Sequence, residues 1–145
     1  MIDPRALSSQ IASACDLQEL ELTPSLGNEL VADIPATRLP CVLETLRQMP
    51  EWRHLSAITG LARDGTIYLL YHCWMGKGVT LRVATQDGVA VPSLSSQLPG
   101  ATWYEKEIHE LLGVTFDGLA ESPPLLLSEG WDSPPPLAQK DDKAK

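Results

Sequence analysis

Acidic residues and a histidine crowd one stretch of the chain, Glu105-Lys106-Glu107-Ile108-His109-Glu110, and such side chains are the stock of acid–base and metal chemistry. Their spacing argues against both. Glu105 and Glu107 stand two residues apart on a helical pattern, so they point roughly 200° apart and do not converge on one substrate atom. His109-Glu110-Leu111-Leu112-Gly113 is one ligand short of the zinc-protease pattern, because Gly113 stands where the second imidazole is needed. His54 and His72 are isolated in strand-like runs and read as packing residues. Gly76-Lys77-Gly78 precedes a strand and lacks the upstream glycine of a phosphate loop, so it reads as a turn. No G-x-S-x-G elbow is present. The three cysteines, Cys15, Cys41 and Cys73, are widely spaced, with no C-x-x-C and no evident disulfide framework. They read as small, buried, inert thiols of a reducing compartment, and three cannot ligate a four-cysteine cluster. The residues themselves therefore point to no catalytic, cofactor or metal site. Charges beside an apolar stripe fit ion pairs with neighbouring elements or with another chain. A small enzyme using His109 with a carboxylate or Cys73 is the competing reading, and the motif search speaks against it.

Length and composition agree with one domain. The 145 residues are 43% hydrophobic and 21% charged, ordinary for a globular chain with a real core. The net charge of −8 disfavours nucleic acid or an anionic membrane surface as partner. No run approaches the roughly 20 apolar residues of a spanning helix. Met1-Ile2-Asp3-Pro4-Arg5 shows no secretory pattern, so a cytosolic chain is expected.

Hydrophobic spacing supplies the elements. Residues 5–15 read as a helix on Leu7, Ile11 and Ala14, and 39–49 as a second on Leu39, Val42, Leu43 and Leu46, opened by Pro40 and stopped by Pro50. Residues 20–23 and 29–34 alternate like a hairpin. His54–Leu61, Thr66–Trp74 and Val79–Val83 read as a three-stranded meander, turning at Asp64-Gly65 and Gly76-Lys77-Gly78. Pro92-Ser93 is expected to open a short helical turn. Residues 101–112 read as the third helix, with Tyr104, Ile108, Leu111 and Leu112 on its apolar stripe and Glu105 and Glu107 flanking it. Gly113 suits a left-handed C-cap. The expected fold class is α+β: a mostly antiparallel sheet, helices on one side, and an extended proline-rich C-terminal strap.

That strap holds five of the 12 prolines, which exclude regular structure, yet it carries Leu125-Leu126-Leu127, Trp131 and Leu137. Such anchors must lie on the chain's own domain or on a partner. The expected division is a domain over 1–116, a docking strap over 117–139 and a disordered tail over 140–145.

The stretch from Trp103 to Phe116 resembles the signature of the 30-kDa subunit of NADH–quinone oxidoreductase, respiratory complex I, approximately W-Y-E-R-E-x-x-D-L-F-G-[IV]-x-F. Lys106, Glu110 and Leu112 replace arginine, aspartate and phenylalanine with charge and size kept. His54–Gly60, Leu69–His72 and Val91–Leu94 are similar to the family's preceding strands, and Leu125 to Trp131 to its tail L-L-L-P-x-D-W. The chain departs at Gly118-Leu119-Ala120, where the family often has G-H-P, and in the tail, where Pro124 stands for the usual arginine before L-L-L and Pro136-Leu137-Ala138-Gln139-Lys140-Asp141 for the usual P-L-R-K-D.

The resemblance implies a hydrophilic, cofactor-free subunit in the peripheral arm of a membrane-associated oxidoreductase, with no active site of its own. It would dock on the large quinone-site subunit and neighbour an iron–sulfur subunit, on the cytoplasmic side of the inner membrane, with no nucleic acid and no span of its own. The corresponding subunit of an energy-converting [NiFe]-hydrogenase shares the pattern and is the alternative; a stand-alone binding module is a third reading. The interface expected from the signature and strap comprises Glu105, Lys106, Glu107, Glu110, Phe116, Leu126 and Trp131, with Gly113 structural.

Overall fold

Helix α1 (Pro4–Ala14) starts where Asp3 accepts a hydrogen bond from the Arg5 N–H, with Pro4 in the first turn where no N–H is needed. It buries Leu7 and Ile11. This computed structural model describes residues 2–86, 88–121, 123–124, 126–127 and 133–137. The expected anchor Trp131, Leu125 of the leucine triplet and the 140–145 tail lie outside the described residues. Helix α2 (Leu39–Arg47) buries Leu39, Val42, Leu43 and Leu46, the stripe read from the sequence. It stops two residues before the expected end, because the Met49 N–H closes a tighter turn on the Leu46 carbonyl ahead of Pro50.

The sheet runs β1 (Thr23–Pro24), β2 (Leu30–Asp33), β5 (Gly78–Thr85), β4 (Thr66–Trp74), β3 (His54–Arg63) from edge to edge. All neighbours are antiparallel except β2 and β5. The expected 20–23/29–34 hairpin shrinks to two pairs, Thr23 with Val31 and Pro24 with Leu30, since a proline cannot continue the ladder. Asp64 and Gly65 take φ of +52° and +78°, the paired left-handed conformation of a tight hairpin turn. Alternation places Ile58, Leu69, Tyr71, Cys73, Val79, Leu81 and Val83 on one face, in one core with all three helices. Leu61, Tyr68, Leu70, His72 and Arg82 occupy the other.

Helix α3 (Ala101–Leu112) has the expected bounds. It lies against β3 at Gly60, where any Cβ would meet Leu112 Cδ1 and Ile108. A short parallel pair, β6 (Val91–Pro92) with β7 (Phe116–Asp117), brackets the helix. Pro92 is thus a strand residue; the expected turn begins later, where the Leu98 N–H reaches the Leu94 carbonyl at 2.8 Å. Among the described residues, no helix is long and apolar enough to cross a membrane.

Candidate docking surface on the third helix

The two sides of α3 have different chemistry. Its inner row is Ala101, Glu105, Ile108 and Leu112, all buried at helical spacing. Glu105 is fully buried, so it is an internal residue and its side chain is not on the outer surface where an interface is expected from the sequence. The reason is local. Its Oε2 accepts from the Ser93 hydroxyl at 2.5 Å and its Oε1 from the Leu94 N–H at 2.6 Å. A carboxylate so matched can occupy an apolar row that spacing alone assigns to a hydrophobe. Burial raises its pKa, against the pull of those two bonds. The Tyr71 phenol, buried on β4, is also held above its ordinary value, by burial first and by the Glu105 charge second. Its hydroxyl has no hydrogen-bond partner among the described residues.

The outer row begins at Trp103, which is 59% exposed, and continues through the partly exposed Lys106, Glu107 and Glu110. Trp103 opens the signature stretch expected to dock but is not among the interface residues named from the sequence. Its signal is its place three and four residues before Lys106 and Glu107 on one helical face, combined with a side chain too large to leave bare without cost.

The strap crosses the C-terminal half of this helix. The Leu126 N–H donates to Glu110 Oε2 at 2.7 Å, and the Leu137 N–H to the Leu111 carbonyl at 2.8 Å. Pro135 rests on Gly113, whose φ of +78° and N–H bond to the His109 carbonyl end the helix as expected. Leu126 and Leu137 turn outward, 53% and 59% exposed. Phe116, expected at the interface, is buried beside β6 instead, because β7 pairing carries it into the core.

Beside the helix, an open cleft of about 440 Å³ is lined by Lys106, His109, Phe116, Leu119 and Pro123, among others. His109 Nδ1 donates to the Val114 carbonyl at 2.7 Å, which ties the imidazole to the helix end. Among the described residues, no three histidine, cysteine or acidic side chains gather as a metal would require. His72 sits on the open sheet face with Thr59 and Thr80 hydroxyls 3.1 Å from its two ring nitrogens, a satisfied histidine as the sequence suggests. Cys73 is buried and its thiol is pushed up to about 12, inert as expected. Cys15 and Cys41, by contrast, are bonded to each other. The absence of a disulfide framework inferred from wide spacing is thereby corrected: the packing of α1 on α2 joins residues 26 apart.

Comparison with known proteins gives this arrangement a family. The profile of the respiratory-chain NADH dehydrogenase 30 Kd subunit matches residues 32–144. An NADH-quinone oxidoreductase subunit of Caulobacter sp. (strain K31) is 31% identical over 109 residues, covering 70% of this chain and 51% of that protein. The same subunit from Erythrobacter litoralis (strain HTCC2594) is 27% identical over 113 residues, covering 74% and 45%. That from Rhodopseudomonas palustris (strain BisB18) is 29% identical over 143 residues, covering 93% and 71%. The chain thus spans about half the length of the first two. The fold is shared with a chain of the membrane-bound sulfane sulfur reductase, an archaeal respiratory membrane complex, at TM-score 0.63 and 22% identity, covering 80% of this chain and 71% of that one. It is shared also with the trypsin-resistant fragment (1–134) of Nqo5 at TM-score 0.61 and 17% identity, covering 81% and 97%. With most of its length inside the family profile, the chain belongs to the 30-kDa subunit family of respiratory-chain NADH dehydrogenase.

Proposed function

We propose that this protein is a peripheral, non-spanning subunit of a complex I-like, membrane-associated oxidoreductase, and that it docks through the outer row of α3 and the strap laid across it. The observation that carries the reading is the exposed Trp103 in line with Lys106, Glu107 and Glu110, continued by the outward Leu126 and Leu137. A large aromatic beside apolar anchors, rimmed by charges, is the composition of an interface centre with charges setting register. The partner proposed is the large quinone-site subunit, with an iron–sulfur subunit nearby, on the cytoplasmic side of the inner membrane. The chain's own part is to bind and stabilise; it holds no cofactor of its own in this reading. Glu105, Phe116 and Gly113 serve by keeping the helix in place, and the interface narrows to Trp103, Lys106, Glu107, Glu110, Leu126 and, from the sequence, Trp131.

A second reading, the equivalent subunit of a related membrane complex such as an energy-converting [NiFe]-hydrogenase, is favoured by the fold shared with the sulfane sulfur reductase chain. Affinity purification of the tagged full chain from its native membrane separates the two by the large subunit recovered with it. Recovery of the chain alone, under conditions that keep the rest of such a complex intact, would overturn both.

A further inference from the structure

Cys15 caps the C-terminal end of α1, and Cys41 lies in the first turns of α2. Their Cα atoms are 5.8 Å apart, within the span of a disulfide, and the sulfurs are joined. The bridge ties a helix that precedes the family match, which begins at residue 32, to one inside it. Each sulfur also has a polar neighbour suited to a thiol. Cys41 Sγ lies 3.6 Å from the Ala14 carbonyl, and Cys15 Sγ lies 3.6 Å from the Thr45 hydroxyl, which itself donates to the Cys41 carbonyl at 2.8 Å. Both neighbours are hydrogen-bond acceptors that an S–H group could use. Leu7 and Ile11 of α1 are packed in the common core. Access differs between the two: Cys15 is 2% exposed, whereas Cys41 is partly open to solvent.

The geometry points to a reversible thiol–disulfide site, in which Cys41 exchanges with a low-molecular-weight disulfide of the glutathione type and Cys15 resolves the product. In the closing direction the Cys41 thiolate attacks one sulfur of the small disulfide. That S–S bond breaks, and the departing thiolate takes a proton from water. Cys15 then loses its proton and attacks the Cys41 sulfur of the mixed disulfide. The second small thiol leaves as the Cys15–Cys41 bond forms. Two protein thiols are oxidised, and one small disulfide is reduced to two thiols; excess small thiol runs the sequence backwards. Cys73 takes no part, being buried and without thiolate at neutral pH. Closed, the bridge pins the end of α1 to α2. Open, side-chain packing alone holds that end, and the helix frays more readily.

The test equilibrates the full chain with mixtures of reduced and oxidised glutathione, quenches with acid, unfolds, alkylates and counts thiols by intact mass. Three alkylated thiols are expected at the reducing end and one, Cys73, at the oxidising end, with return to three on reversal. Cys15→Ser should trap one glutathione on Cys41, while Cys41→Ser should trap little on the buried Cys15. Amide exchange over residues 4–14 should rise several-fold when the pair opens. Three thiols at every ratio would overturn the proposal, as would a bridge that reduced glutathione never opens, equal trapping by the two variants, or unchanged exchange in α1. None of these readouts involves a partner protein, so they stand or fall apart from the docking reading.

Discussion

The inner and outer rows of α3 come from the same twelve residues and carry opposite instructions. The inner row is saturated: Ile108 and Leu112 close on Gly60, and both oxygens of Glu105 are claimed by the Ser93–Leu94 turn. The outer row is unfinished, with a tryptophan left mostly in water and leucines of the strap turned away from their own core. A family signature read along the chain mixes these rows. The fold separates them into residues that keep the helix in place and residues left over for something else.

The contrast breaks hardest at Glu105. Glu105→Ala would leave the Leu94 N–H unpaired over a cavity and take one partner from the Ser93 hydroxyl, which keeps Ser95, and should lower unfolding stability by about 3 kcal/mol in a urea titration. Next comes Gly60→Val, which forces α3 away from β3 and should cost about 2 kcal/mol by the same measurement. Trp103→Ala, on the other row, should shift stability by less than about 0.5 kcal/mol. A loss comparable to that of Glu105→Ala would show the outer row to be part of the core after all.

The pH dependence sharpens the same division. Burial raises the Glu105 carboxyl above its ordinary 4.5, so the folded chain keeps a proton that the unfolded chain has released. Its contribution to stability therefore falls as pH climbs from 4.5 through the raised value. Glu105→Gln cannot titrate and should lose that decline, seen as a flatter plot of urea midpoint against pH. An effect as small as that of Trp103→Ala belongs to the open sheet face. Asp33 and Arg82 pair there at 2.5 and 2.8 Å, but their side chains are 71% and 44% exposed. Asp33→Asn should change stability by less than about 0.5 kcal/mol at neutral pH.

Local pattern carries the fold a long way. The third helix ends at Gly113 because a left-handed residue is needed there, and the Asp64-Gly65 hairpin turns for a similar reason; both are written in residue type. A helical wheel misplaces Glu105 because it sorts by polarity, whereas the burial of this carboxylate is licensed by donors twelve and eleven residues away. The Cys15–Cys41 bond and the β6–β7 pair are invisible to local pattern for the same reason: each joins segments that only tertiary packing brings together. That pairing also moves Phe116 from the expected surface into the core. Trp103 is legible in principle, since its face follows from its spacing to Glu107 and Glu110.

Retention by the proposed membrane complex puts the outer row to trial most directly. Trp103→Ala and Glu107→Lys chains, tagged and expressed in place of the original, should unfold at the unaltered urea midpoint yet bring down at least about tenfold less of the proposed large-subunit partner. Undiminished recovery of that partner by both folded variants would contradict the account.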